Sequence, residues 1–275
     1  MEASQVIKRA VSIALEEDIG EGDVTAASFG INQIAHASLI CRDEAVLCGQ
    51  HWFNETFQQL DSEIKVEWNI QDGDQIEKNS TICLLQGNTQ AILTGERTAI
   101  NFLQTLSATA TLTRTFVNQI AGTSAQILDT RKTLPGMRYA QKFAVLCGGG
   151  TNHRMGLYDA ILIKENHITA AGSIKVAVSM AKEKFPNLKL EVEVESNDEL
   201  KEAIATEADI ILLDNFTMSE LQAAVNLNDN RKILEASGNI SLENIREIAK
   251  TGVDYISIGA ITKNISAVDF SMHIE

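Results

Sequence analysis

Two sets of side chains in this sequence could do chemistry together. Eight basic residues lie between Arg97 and Lys164: Arg97, Arg114, Arg131, Lys132, Arg138, Lys142, Arg154 and Lys164. Only two acidic residues, Asp129 and Asp159, share that stretch, whereas the rest of the chain carries fifteen basic residues against thirty-five acidic. A cationic region in a protein of net charge −14 points to a small polyanionic ligand. The second set is acidic. In LKLEVEVE (188–195), strand alternation turns Leu188, Leu190, Val192 and Val194 to one side and Glu191, Glu193 and Glu195 to the other. Closely spaced carboxylates repel and take up protons unless cations neutralise them, so lysine, arginine or Mg²⁺ must stand nearby. A half-exposed edge strand is the alternative.

Asp214 closes the next apolar run and could complete a carboxylate site with Glu193. Mg²⁺ suits such a pair, because it takes few carboxylates together with water and phosphate oxygens. Ser237-Gly238-Asn239 and Ile258-Gly259-Ala260 end the last two runs, where small residues let backbone N–H groups approach a phosphate. Gly148-Gly149-Gly150 is neither a P-loop, since no G-K-[ST] follows, nor a dinucleotide fingerprint, since no strand-like run precedes it. It leads into the dense polar stretch Thr151-Asn152-His153-Arg154.

The elements that must hold these residues fall into two parts. Apolar spacing predicts a helix over 5–16, then an acidic glycine-containing loop, then short strands with turn punctuation over 35–90. A long helical pattern begins near Thr94 and stops at Gly122. Beyond it, strand-like runs at 126–129, 159–164, 188–195, 209–214, 232–237 and 254–260 alternate with helical segments such as 174–184, 198–206, 219–226 and 242–250. Six βα-like units predict a parallel sheet curled into a small or incomplete α/β barrel, with its chemistry at the carboxyl ends of the strands. Those ends read D-T-R-K, K-E-N-H, E-V-E, L-D-N, E-A-S-G-N and S-I-G-A.

Composition removes other classes of function. With no Lys/Arg run and only 5% aromatic residues, a nucleic-acid or anionic-membrane surface is a poor reading. No stretch is long and apolar enough for a bilayer span, and the first twenty residues lack the apolar run of a signal peptide. Cys41, Cys48, Cys83 and Cys147 are irregularly spaced, which argues against zinc or a disulfide framework and for reduced thiols in the cytoplasm.

The stretches DTRKTLPGMR (129–138) and KFAVLCGGGTNHRMGLYDAILIKENH (142–167) closely resemble the quinolinate phosphoribosyltransferase (decarboxylating) family, the nicotinate-nucleotide pyrophosphorylases (carboxylating). The likeness runs back through LTGERTAINFLQTLS and EDIGEGDVTA, and on through EVEVES, ILLDNF, LEASGNI and TGVDYISIGAITK, covering nearly the whole chain. Ala108-Thr109 departs from the family's usual pair after Leu-Ser, a small packing change.

The resemblance implies an N-terminal open α/β sandwich, residues 1–108 with 265–275 packing back on it, and an incomplete α/β barrel of about six strands at 109–264. It implies that quinolinate and 5-phosphoribosyl 1-pyrophosphate give nicotinate mononucleotide, pyrophosphate and CO2 with Mg²⁺. It further implies a homodimer in which Arg97 comes from the partner chain. Carried over with these are substrate contacts at Thr130, Arg131, Lys132, His153, Arg154, Lys164, Glu193 and Asp214, with Lys132, Lys164, Glu193 and Asp214 catalytic and Glu193 and Asp214 on the metal. The backbone at Ser237, Gly238, Asn239, Ile258, Gly259 and Ala260 is carried over as a phosphate site. The alternatives are a phosphoribosyltransferase of this fold acting on another small pyridine acid, and a non-catalytic metabolite sensor. The four cations Arg97, Arg131, Lys132 and Arg154 favour a diacid, and a sensor should have lost Glu193, Asp214 or Lys164.

Overall fold

The structure, a computed structural model, describes residues 2–29 and 33–275. The chain divides into two compact units.

The first unit comprises Met1–Arg114, Thr133–Gly149 and Ile261–Glu275. Its main sheet has four antiparallel strands in the order Phe270–Ile274, Ile34–Cys41, Ser80–Asn88 and Lys65–Trp68. Alternation along Ile34–Cys41 buries Ala35, Ala37, Leu39 and Cys41 and leaves the residues between them more exposed. That apolar face is covered by helical residues, among them Phe53, Phe57, Ile100 and Leu103. The result is the α/β sandwich expected from the sequence.

One expectation fails inside this unit. Residues 35–90 are not all short strands, because Gln50–Leu60 is an eleven-residue helix. Trp52, Phe53, Thr56 and Phe57 form its buried stripe at helical spacing. Asp72 fixes where it starts, its Oδ1 accepting from the amides of Gly49 at 2.9 Å and Gln50 at 3.2 Å. A second helix, Arg138–Cys147, packs Ala140 and Ala144 into a cluster with Trp52, Phe102 and Leu106. The glycine run at 148–150 therefore ends a helix.

The second unit comprises Thr115–Lys132 and Gly150–Ala260. It holds a wholly parallel six-stranded sheet in the order Gln126–Leu128, Tyr255–Ser257, Ile233–Ser237, Ile210–Asp214, Leu190–Val194 and Ile161–Ile163. The first two strands of the chain in this sheet thus occupy opposite edges, which is a barrel order left unclosed. Every strand lies within a run expected from the sequence. Three of the intervening helices start at side-chain caps: Ser173 accepts from the Val176 amide, Ser196 from Glu199 and Thr217 from Glu220. Leu190, Val192, Val194, Ile211 and Leu213 are fully buried on the helix-covered face. The glutamates between them are left to face inward.

Candidate active site

Register decides which side chains share the inward face. Parallel pairing sets Glu193 opposite Leu212, Leu212 opposite Glu235, and Asp214 opposite Ser237. Partners in register point to the same side, so Glu191, Glu193, Asp214, Glu235 and Ser237 all face inward. Leu190–Val194 lies between two neighbours and is not an edge strand. Its glutamates grade outward: Glu191 is buried, Glu193 half-buried and Glu195 exposed.

The cationic residues arrive from two places. Arg131 and Lys132 follow Gln126–Leu128 directly. His153 and Arg154 come in on an irregular segment laid beside that strand. Thr151 bridges Leu128 in parallel fashion, its N–H donating to the Ile127 carbonyl at 2.8 Å. The buried Asp129 carboxylate then accepts from the His153 amide at 2.9 Å. These bonds carry the chain after the glycine run to the sheet's carboxyl end.

A cavity of about 450 Å³ opens there. It is lined by Thr130, Arg131, Lys132, His153, Arg154, Lys164, Glu193, Asp214 and Ser237, with Leu162, Leu212, Glu235 and Ser257. Nζ of Lys164 is paired with Oε2 of Glu193. Burial and the neighbouring Arg131 guanidinium press the pKa of Arg154 below its ordinary value, while Glu191 and Asp159 pull it back. Two like charges held close together make a strong receptor for an anion. Beneath them, Nε2 of His153 stands 2.7 Å from Glu191 Oε2 and 3.6 Å from Glu235 Oε2. Burial first, and then the adjacent Glu191 carboxylate, holds Glu235 well above the usual carboxylate range, although a hydrogen bond from Ser257 works the other way. The fold therefore favours the protonated form of Glu235.

The matched family models cover almost the full length. Residues 23–107 match the N-terminal domain of quinolinate phosphoribosyl transferase, and residues 109–273 match its C-terminal domain. The chain belongs to the quinolinate phosphoribosyltransferase family. It is 39% identical over 269 residues to the probable nicotinate-nucleotide pyrophosphorylase [carboxylating] of Bacillus subtilis, covering 98% of this chain and 93% of that protein. It is 39% identical over 290 residues to the chloroplastic nicotinate-nucleotide pyrophosphorylase [carboxylating] of Arabidopsis thaliana, covering 98% of this chain and 83% of the other. The solved nicotinate-nucleotide pyrophosphorylase of Francisella tularensis superposes with a TM-score of 0.97 at 48% identity, over 100% of this chain and 98% of that one.

In this quinolinate phosphoribosyltransferase family member, nine of the residues singled out from the sequence line the one cavity just described. Gly238 and Asn239 line a neighbouring cavity of about 200 Å³, together with Ser237 and Asn215. Gly259 lies against Lys132: a Cβ on it would stand 3.0 Å from the lysine Cδ. The Ile258 amide is already donated to the Leu128 carbonyl at 3.0 Å, so it serves the sheet. Ala260 begins the short helix Ala260–Lys263. Arg97 is not among the cavity residues. It lies on the helix Thr89–Gln119, its side chain 61% exposed and its guanidinium 4.0 Å from Glu96.

Read from the sequence, Glu191 turns inward without a place in the site, and Glu235 is not singled out. Glu191 and Glu235 share an inward face with predicted residues, and the alternation in LEVEV and ILEAS carried that signal. Among the described residues, His153, Glu191 and Glu235 form a group of three potential metal ligands whose ligand atoms lie within 4.8 Å of one another. The 2.7 Å contact inside it is a hydrogen bond, and an imidazole is a poor donor for a hard cation. Glu193 and Asp214 are carboxylates that line the cavity, the donor set such a cation prefers.

Proposed function

We infer that this chain transfers the phosphoribosyl group of 5-phosphoribosyl 1-pyrophosphate to quinolinate and releases CO2, giving nicotinate mononucleotide and pyrophosphate for NAD biosynthesis. One observation carries the reading to the residues: Arg131, Lys132 and Arg154 share a cavity with Lys164, Glu193 and Asp214. Two neighbouring carboxylates on a pyridine need planar cationic forks, and arginine provides them. Arg131 and Arg154, with Thr130, Lys132 and His153 beside them, would hold the diacid and turn its ring nitrogen toward the ribose. That nitrogen has its own lone pair, so its attack needs no general base.

The donor would lie over the remaining strand ends. Lys164 would contact the phosphoribosyl group, and the backbone of Ser237–Asn239 and Gly259–Ala260 would receive phosphate. Glu193 and Asp214 would hold Mg²⁺, which when bound neutralises charge on the diphosphate. Once the nitrogen carries the ribose, its positive charge stabilises the carbanion left as the adjacent carboxylate departs as CO2. The protein's share is positioning and electrostatics. Arg97, exposed and outside the cavity, would complete the site of a second copy in a homodimer. Among the described residues no helix is long and apolar enough to cross a membrane. The cytoplasmic location expected from the cysteine spacing belongs to this same reading.

The test is direct. Purified protein with quinolinate, 5-phosphoribosyl 1-pyrophosphate and Mg²⁺ should release CO2 and nicotinate mononucleotide in equal amounts. Leaving out either substrate, or adding a chelator, should stop both. Turnover of nicotinate in place of quinolinate, or no turnover of either, would end this reading.

A further inference from the structure

Where the strands Ile210–Asp214 and Ile233–Ser237 end, two asparagines hold a backbone conformation that favours glycine. Asn215 has φ +56° and Asn239 φ +52°, with Gly238 at φ +93° between the second strand and its asparagine. Asparagine is among the few side-chain-bearing residues that take up this conformation readily. The two carboxamides are joined: Nδ2 of Asn239 donates to Oδ1 of Asn215 at 3.1 Å. Nδ2 of Asn215 in turn donates to Oδ2 of Asp214 at 2.8 Å. The orientation is self-consistent, because a carboxylate only accepts, which turns the Asn215 nitrogen to Asp214 and its oxygen to Asn239.

The backbone repeats the link. The Asn215 amide donates to the Ser237 carbonyl at 2.9 Å, and Nδ2 of Asn244 donates to the Asn239 carbonyl at 2.8 Å. Gly238 leaves room for the clamp: a Cβ there would stand 2.2 Å from Asn215 Oδ1. Asn215 and Asn239 are both exposed, and exposed hydrogen bonds contribute little to stability. Their geometry is spent on placing Asp214 relative to the turn.

We propose that Asn215 is a positioning residue for the phosphoribosyl donor, its carboxamide fixing the Asp214 carboxylate relative to the Ser237–Asn239 turn. The group facing the donor's metal and hydroxyls and the backbone facing its phosphate are then set by one clamp. This rests on the reading that the donor occupies this end of the sheet.

The test is Asn215→Gly in the full-length protein, because glycine keeps the backbone conformation and removes only the carboxamide. The donor dissociation constant measured by calorimetry, and the donor KM, should rise about tenfold, the effect of losing one charge-assisted hydrogen bond. Quinolinate KM and the unfolding temperature should stay at their wild-type values. Asn215→Asp should bind the donor less well than Asn215→Gly, because it sets a second carboxylate against Asp214. Asn239→Gly breaks the clamp from its other side and serves where Asn215→Gly folds poorly; the double variant should be no worse than either single one. An unchanged donor dissociation constant in Asn215→Gly and Asn239→Gly overturns the proposal. Gly238→Ala separates the two levels, since it disturbs the turn itself. Weaker donor binding in Gly238→Ala alone removes the clamp and keeps the donor site; no effect in any of the three removes the donor site as well.

Discussion

His153 and Glu191 are joined at 2.7 Å beneath the arginines of the site, with Nε2 on the carboxylate oxygen. Glu235 lies 3.6 Å from the same nitrogen and is nearly inaccessible, at 1% exposure. The cavity therefore rests on two carboxyl groups, one of which the fold holds well above its ordinary range. Unfolding releases Glu235 to titrate near its ordinary value of 4.5, whereas the fold holds it well above that. As pH rises past the ordinary value, the unfolded chain gives up a proton that the folded chain keeps, and stability falls. Glu235→Gln removes this dependence. The unfolding temperature of the variant relative to wild type should climb steadily from about pH 5 to about pH 8. A difference that stays flat across that range would show that Glu235 ionises in the fold as it does in water.

Arg131→Lys keeps a cation and loses the planar fork. Steady-state kinetics should give a quinolinate KM raised about tenfold, with the donor KM little changed. A loss confined to the donor would reassign Arg131 to the phosphoribosyl side of the site.

Arg97 and Arg154 test whether the site is shared between copies. Arg97→Ala and Arg154→Ala should each be nearly inactive alone. After co-refolding in equal amounts, half of the dimers pair one variant with the other and hold one intact composite site. Recovered activity should then approach roughly a quarter of wild type. Mixed dimers isolated by two affinity tags and still inactive would place both arginines in the same chain's site.

Gly148→Ala tests the packing that launches the His153 segment. A Cβ at this position would stand 2.5 Å from Thr113 Cβ and 2.6 Å from the Ala110 carbonyl oxygen. Nε of Arg114 donates to the Gly148 carbonyl at 2.9 Å, which holds the glycine in place. With backbone on one side, the contact cannot relax cheaply. A loss of about 1–3 kcal/mol in denaturant unfolding is expected. An unchanged midpoint would mean that the long helix yields at Ala110.

Much of the second unit was legible because each strand is a short apolar run bounded by polar residues, and three of the helices that follow begin at a serine or threonine cap. The inward glutamates were legible for the same local reason, since alternation alone sets their side. The helix Gln50–Leu60 was not, because its few apolar residues sit in a polar stretch between strand-like pieces. The resemblance alone brought 265–275 back to the first part of the chain; no local pattern encodes the pairing of Phe270–Ile274 with Ile34–Cys41. Glu235 gave no sign of its raised pKa, which comes first from burial and then from Glu191, a residue on another strand. Asn215 read as part of a strand ending; its role needs Asn239, which only the sheet brings near.

The sheet order has a consequence for how the molecule is made. Gln126–Leu128 takes its place at the sheet edge against Tyr255–Ser257, the last of the six strands to leave the ribosome. Arg131 and Lys132, emerging early, lack this neighbouring strand until Tyr255–Ser257 has been made. A nascent chain stalled before Tyr255 would already carry most of the residues assigned to the site and still lack the edge on which two of its cations are mounted.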